Sequence, residues 1–404
     1  MKHPMKLKTP TLILTAVAIG IASALIFSVG FMAGRATSAF SASALAADAN
    51  VDPDTFQPYI QAWNILNKNY INQPLDPDTL IQGSISGMLD SLGDPYTSYI
   101  DPETFAQENA SLDGEYTGIG AWVDTSGDKL VIISPMPDSP AEKAGIKPGD
   151  VVVAIDGESM EGLTPSQALE RILGPADSVI LLTIAREGSD ALLEFELQRA
   201  VIPLPSIASE MLDDETGYIQ IFSFATNTYT DFALELKGLV DGGAQHLIID
   251  LRNNPGGLVD SAQDIASIFL EDKVVLIEEW GDGRMTEYRT TQATTAPDLP
   301  VYILVNQGTA SASEILAGAL QDYGRATLIG NTTFGKGLIQ NWIPLDGDYG
   351  AVRITIAKWL TPNGRQIQDL GLEPDFLIDY TIEDFDAGMD PQLEKVLELI
   401  SEKK

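Results

Sequence analysis

Three short segments of the 404-residue chain carry residue types that together could do covalent chemistry. The first is Asn306-Gln307-Gly308-Thr309-Ala310-Ser311-Ala312-Ser313-Glu314, which follows an apolar run and opens a helical pattern reaching about Tyr323. A serine at such a junction sits on a rigid helix end, faces unpaired backbone N–H groups and feels the positive end of the helix dipole. The same position suits an ordinary N-cap, and Glu314 three residues on completes a capping box. The second is Thr333-Phe334-Gly335-Lys336-Gly337-Leu338-Ile339-Gln340, where Lys336 lies between glycines and near apolar Phe334 and Ile339. A lysine acts as a general base only when burial takes its pKa several units below ~10.4, and this neighbourhood permits that. A surface lysine in a glycine turn is the plain alternative. If the segment is a strand, Gln340, four positions on, shares a face with Lys336 and could orient its amine. The third is Asp250-Leu251-Arg252-Asn253-Asn254-Pro255-Gly256-Gly257-Leu258-Val259, which reads strand, glycine turn, helix. N–H groups of such a turn can point at the oxyanion of a tetrahedral intermediate, and the same glycines suit a turn needing positive φ.

Composition closes most other routes. With no cysteine there are no disulfides, thiolate metal sites or cysteine nucleophiles. The two histidines, His3 and His246, are too few for an imidazole metal site, so no metal or cofactor is called for. His246 opens the run His246-Leu247-Ile248-Ile249-Asp250 and reads as a strand-end residue, since nothing else supports a Ser-His-Asp triad. A net charge of −34 would repel polyphosphate, which argues against nucleic acid as a partner.

The elements that must position these segments follow from periodicity. Leu12 to Ala33 is free of charge over 22 positions, long enough to span a bilayer as a helix. Lys2, Lys6 and Lys8 precede it, so the positive-inside rule puts the N-terminus in the cytoplasm and the remainder outside, periplasmic or extracellular. A cleaved signal peptide ending near Ala44-Leu45-Ala46 is the alternative, but the apolar stretch is longer than an h-region and stops well before that site. Residues 1–36 are thus expected to be a cytoplasmic tail and transmembrane anchor, and 37–54 a linker. Helical spacing of apolar residues marks a small helical region over 55–112, broken at Gly93-Asp94-Pro95. Period-two runs such as Val151 to Ile155 and Val179 to Ala185, with one helix at Pro165 to Leu173, mark a β-domain over 113–200. Alternating strands and helices from Tyr218 to Ile329 mark an α/β core over 201–380, and Leu393 to Ile400 reads as a closing amphipathic helix within 381–404. The fold class is therefore multidomain α/β (α+β).

At the three segments together the sequence resembles the carboxyl-terminal processing peptidases, or tail-specific proteases, which cleave with a Ser-Lys dyad. The resemblance rests on Gly308-Thr309-Ala310-Ser311-Ala312-Ser313-Glu314, on Phe334-Gly335-Lys336-Gly337 placed 25 residues from serine to lysine, and on Arg252-Asn253-Asn254-Pro255-Gly256-Gly257. It extends over Phe56 to about Tyr380. Within it, Gly87 to Thr97 is similar to the family's helical region, and Tyr116-Thr117-Gly118-Ile119-Gly120, Ser139-Pro140-Ala141 and Gly145 to Asp150 are similar to its PDZ domain. The resemblance implies a Clp-protease/crotonase-like core with Ser311 as nucleophile, Lys336 as general base and Gln340 orienting the lysine. It implies oxyanion-hole N–H groups from Gly257 and Ala312, and a loop Gly118-Ile119-Gly120 that captures a peptide's terminal carboxylate. Expected partners are protein or peptide substrates with free, apolar C-termini, the membrane, and a further copy of the chain. One departure stands out: many family members carry arginine immediately before the pair corresponding to Gly174-Pro175, where this chain has Leu173 and the nearest arginine is Arg171. A catalytically silent PDZ scaffold is a rival reading, but such a relative is expected to lose Ser311 or Lys336. A crotonase-like enzyme acting on something other than a peptide is a second rival, disfavoured by the PDZ-like segment.

Overall fold

A computed structural model describes residues 53–402, apart from 125, 126, 128, 190, 297, 348, 382, 385 and 386. The expected membrane helix, Leu12 to Ala33, lies outside the described residues, among which no helix is long and apolar enough to cross a membrane. The chain divides into two compact units at Leu80 and Ile81. In the first, a 3-10 turn at Pro53–Phe56 leads into α1 (Gln57–Asn69), which starts with proline in its first turn and has no buried residue. Its apolar side chains, Tyr59, Ile60, Ile65 and Leu66, are exposed. Helix α2 (Pro77–Asp90) runs across the division.

The expected helical region also contains a strand that periodicity does not reveal. After the turn at Gly93, β1 (Ser98–Ile100) pairs antiparallel with residues 351–353 of the core, and α3 (Pro102–Leu112) follows, capped by the Asp101 carboxylate. Three residues are too few for a period-two signal.

The β-domain begins with β2 (Glu115–Gly118), β3 (Ala121–Asp124) and β4 (Val131–Pro135), then a short helix α4 (Pro140–Ala144) that sequence reading missed. It continues with β5 (Val151–Ile155), β6 (Glu158–Ser159), α5 (Pro165–Ile172), β7 (Val179–Ala185) and β8 (Leu193–Gln198). Strands β3 to β8 form one sheet in the order β3-β4-β5-β7-β8, with β6 on β5, while β2 pairs with β9 (Ala200–Pro203). Alternate residues Ile180, Leu182 and Ile184 of β7 are fully buried against Ile132, Ala141 and Ala168, giving this region a core of its own.

The α/β core is built on a six-stranded sheet. Its elements are β10 (Ile207–Met211), β11 (Thr216–Ile221), α6 (Thr228–Asp241), β12 (His246–Asp250) and α7 (Val259–Phe269). Next come β13 (Val274–Trp280), β14 (Met285–Arg289), β15 (Val301–Val305), α8 (Ala312–Asp322) and β16 (Ala326–Gly330). Then follow β17 (Leu338–Pro344), β18 (Ala351–Leu360), β19 (Phe376–Leu377) and α9 (Pro391–Glu402). The order is β10-β11-β12-β15-β16-β19, parallel from β11 onward. Both faces are covered, as a parallel sheet requires. Leu247, Ile249, Ile303 and Val305 pack under α6, α7 and α8, while the alternating Ile248, Tyr302 and Leu304 pack with Val396 and Ile400 of α9. A second sheet, β1-β18-β13-β14 with β17 on β18, lies outside the elements read from sequence.

Phe232 of α6 is fully buried and meets Phe269 of α7 edge-on, centroids 6.1 Å apart. Phe232→Ala is expected to destabilise the core by about 3–5 kcal/mol, because the cavity is walled by rigid helices. Urea unfolding followed by tryptophan fluorescence would show it, and an unchanged midpoint would contradict this packing.

Candidate active site

Because β12 and β15 are parallel neighbours, with Asp250 opposite Leu304, the chain leaves their C-terminal ends side by side. Ligand sites of open α/β sheets form at such strand ends. The two exits are stitched together. Asn253 N–H donates to Asn306 Oδ1, and Asn306 Nδ2 donates to Asn253 Oδ1, both at 2.9 Å. Thr309 Oγ1 donates to the Leu251 carbonyl at 2.8 Å, and Ala310 N–H to that of Asn254 at 3.0 Å. Asn254 is fully buried, its Nδ2 on the Ile221 carbonyl at 2.7 Å and its Oδ1 accepting Gly256 N–H at 2.9 Å. Behind the turn, Arg252 joins Asp250 at 2.6 Å and Asp390 at 2.8 Å, anchoring the segment before α9. Asp250 also accepts the Tyr218 hydroxyl at 2.7 Å, and burial together with that carboxylate pushes the phenol above its usual range.

The stitched turns hold Ser311 in a conformation its side chain disfavours. Its φ of 57° and ψ of −118° lie outside the regions open to ordinary L residues. Gly256, at φ 105°, is pressed against it: a Cβ there would sit 2.8 Å from Ser311 Cβ and 2.8 Å from the Ala310 carbonyl oxygen. Gly257, at φ 141°, has no room either, because a Cβ would run into the Phe224 carbonyl. Ser311 precedes α8, and the Glu314 carboxylate accepts its N–H at 2.8 Å, so of the capping box expected from sequence the glutamate half is formed while the serine hydroxyl makes no cap hydrogen bond. Glu314 N–H donates to the Ser311 carbonyl at 2.8 Å, so the helix does not depend on the hydroxyl to satisfy that donor.

A cleft of about 360 Å³ opens beside this turn, lined by Ser311, Lys336, Gln340 and Gly257 with Leu258, Ile315, Leu338, Trp342, Arg353 and Trp359. Ala312 is buried as the first residue of α8. Lys336 and Gln340 thus share the cleft, although not for the reason read from sequence. Lys336 precedes β17, and a bulge falls between Ile339 and Gln340, so regular strand alternation does not apply. Gln340 Nε2 points at Thr355 Oγ1 at 3.4 Å, and the Lys336 ammonium lies 5.6 Å from the centre of the Tyr96 ring. Among the described residues no hydrogen bond joins Ser311 to the Lys336 amine. Burial lowers the Lys336 pKa, the Arg353 guanidinium lowers it further, and Glu314 opposes both. His246 sits at the N-terminal end of β12, the opposite end of that strand from the Asn253–Gly257 turn and Ser311, so it forms no triad with Ser311. Arg353 gave no sequence signal, and Tyr96 gave one only as part of the segment Gly87 to Thr97, because their approach to Lys336 depends on tertiary packing across long separations.

In the β-domain, Gly118, Ile119 and Gly120 are buried at the end of β2 and in the turn that follows, where Ala141 N–H donates to the Ile119 carbonyl at 2.8 Å. Tyr116 packs beneath it, since a Cβ on Gly118 would lie 2.9 Å from its ring. Burial raises the Tyr116 pKa, and the N–H groups of Gly120 and Ala121 face its hydroxyl. Leu173 approaches the same turn, whereas Arg171 pairs with Glu158 at 2.8 Å on the surface. A larger cavity of about 450 Å³ in this domain, between Leu130, Val152, Met160 and Ala168, holds none of the candidate catalytic groups.

Comparison with known proteins agrees with this layout. The model of peptidase family S41 matches residues 215–378, that of the PDZ domain residues 131–186, and that of the activating protease CtpB N-terminal domain residues 23–104. The carboxy-terminal processing protease CtpB of Bacillus subtilis is 40% identical over 324 residues, 79% of this chain and 66% of that protein. A carboxyl-terminal-processing protease of Synechocystis is 37% identical over 350 residues, 84% of this chain and 82% of that one. A putative S41 protease from Bacteroides fragilis shares the fold, with a TM-score of 0.53 at 17% identity, covering 84% of this chain and 97% of that one. These matches define a serine-type peptidase with a PDZ domain. The chain belongs to peptidase family S41, among the carboxy-terminal processing proteases.

Lys336 is expected to titrate below the ordinary lysine range, because it is buried and faces Arg353. Arg353→Gln should raise its pKa, because removing a neighbouring positive charge makes the protonated amine less costly. NMR titration of lysine-labelled protein measures both; a Lys336 pKa that does not move in Arg353→Gln would eliminate the guanidinium as a cause.

Proposed function

We propose that the chain is a membrane-anchored serine endopeptidase whose catalytic part lies outside the cytoplasm. It holds the unstructured C-terminal tail of a substrate in its PDZ domain and cleaves it with a Ser311–Lys336 dyad. The observation that carries this reading is the convergence, in one cleft, of a serine on a strained turn at a helix N-terminus and a lysine whose pKa burial lowers. The neutral Lys336 amine takes the Ser311 hydroxyl proton as the oxygen attacks the scissile carbonyl. The developing oxyanion receives the N–H groups of Gly257 and Ala312, and the Lys336 ammonium then protonates the leaving amine. Water, deprotonated by the same amine, releases the acyl-enzyme. Gln340, with its Nε2 turned to Thr355, keeps an amide oxygen able to accept from the Lys336 amine. A terminal carboxylate entering the Gly118-Ile119-Gly120 turn would claim the donors that now face the Tyr116 hydroxyl.

The rate should rise with pH through the lowered pKa of Lys336, in one ascending limb, because only the neutral amine is a base. Ser311→Ala and Lys336→Arg should each leave less than about 1% of wild-type kcat, since neither can replace the lost step. A fluorogenic peptide with a free, apolar C-terminus measures this, and its C-terminal amide should bind more weakly. Turnover near wild type by Lys336→Arg would sink the dyad.

Full-length protein should remain with membranes through alkaline washing, held by Leu12 to Ala33. A soluble mature form beginning near Ala47 would favour cleavage instead.

A further inference from the structure

We propose that Glu314 is a positioning residue that couples the main chain of Ser311 to the main chain of Lys336. This rests on the dyad reading above. Glu314 is fully buried on the first turn of α8, and its carboxylate accepts four hydrogen bonds. Oε2 takes the N–H of Ser311 at 2.8 Å and the N–H of Lys336 at 3.0 Å. Oε1 takes Thr333 Oγ1 at 2.5 Å and Gly335 N–H at 2.8 Å. One oxygen atom therefore bridges two residues that are 25 positions apart in sequence.

A helix cap requires only the first of these contacts. The other three donors come from residues 333–336, which belong to no helix or strand. Thr333 Oγ1 in turn accepts Leu372 N–H at 2.7 Å, and Trp359 Nε1 donates to the Lys336 carbonyl at 3.0 Å, so the segment is fixed from several sides. Glutamate alone suits the position. Aspartate is one methylene too short to span both segments, and glutamine would turn an NH2 group toward two N–H donors. Burying a carboxylate is costly unless every lone pair finds a donor, which makes the site intolerant of displacement.

The bridge has an electrostatic consequence as well. The charged groups facing Lys336 are Glu314 from α8 and Arg353 from β18, with the Tyr96 ring on a third side. Glu314 is the one that favours the ammonium form, so its neutralisation moves the ascending limb toward lower pH. The limb reports the charge of Glu314, whereas kcat above the limb reports its hold on residues 333–336, and a residue that merely caps α8 would leave that plateau unchanged.

The test compares wild type, Glu314→Gln, Glu314→Asp and Thr333→Val by kcat, KM and pH profile with the same fluorogenic peptide, after circular dichroism has established folding. Glu314→Gln is expected to lower kcat about 100-fold or more with KM nearly unchanged, and to shift the limb to lower pH. Glu314→Asp should lower kcat and keep the limb close to that of wild type, since the charge remains. Thr333→Val removes one of the four donors and should lower kcat about tenfold, and it decides the matter if Glu314→Gln does not fold. Folded Glu314→Gln with wild-type kcat and limb, or Thr333→Val with wild-type kcat where Glu314→Gln fails to fold, would overturn the proposal. Failure of the dyad is a separate result, because it appears as activity in Ser311→Ala or Lys336→Arg whatever the Glu314 variants do.

Discussion

A carboxylate with no solvent exposure must have its charge answered by protein donors, and in this chain that constraint draws two distant segments together. Glu314 receives donors from its own helix end and from residues 333–336, so α8 and the loop before β17 cannot settle independently. Four charge-assisted bonds to one group are each stronger than a neutral pair and lose most of their value if any partner moves. The cleft is consequently a rigid feature of the core, positioned by the same network that satisfies the buried charge.

The conformation of Ser311 depends on a second constraint, the close approach of the Gly256-Gly257 turn. A non-glycine residue at positive φ with ψ near −118° costs on the order of 1–3 kcal/mol and persists only when its surroundings leave no alternative. Asn254 supplies part of that restraint from below, and the reciprocal Asn253–Asn306 pair ties the two strand exits laterally. The glycines then serve two purposes at once: they adopt backbone angles that other residues avoid, and they leave room for the serine turn against them.

How much of this was legible in the sequence depends on how local the determining contacts are. Val301–Val305 was readable as a strand because its apolar run is unbroken by any charged residue, and the structure buries both of its faces. Strands β17 and β18 did not, since most of their residues are only half-buried and no strict alternation survives. Strand β1 was hidden for a different reason: its partner is some 250 residues away, and three residues carry no pattern of their own. Ser311, Lys336 and the glycine turn were visible as residue types, and Glu314 as a cap partner. The strain at Ser311, the bulge beside Gln340 and the reach of Glu314 to Thr333 are products of tertiary packing, and no local spacing encodes them. The lysine and glutamine were linked by strand periodicity when a loop and a bulge in fact bring them to one cleft.

The electrostatics of the cleft have to be local for a reason that the whole chain supplies. Carboxylates outnumber basic groups by 34, and a negative surrounding field favours a charged lysine, the opposite of what the proposed role of Lys336 as a base needs. At physiological salt, however, charges beyond ~8 Å of solvent are largely screened, so most of that surface is silent at Lys336. What remains is the immediate shell: burial in the cleft that Trp359 also lines, and the guanidinium of Arg353. Both act to expel the proton. Glu314 is the near carboxylate acting against them, and its negative charge is already shared among four donors, which weakens its pull on the amine without releasing its hold on the backbone. A carboxylate can therefore fix the position of this lysine while burial and a second cation govern its protonation, and that separation lets one buried anion stand beside an amine whose pKa its surroundings lower.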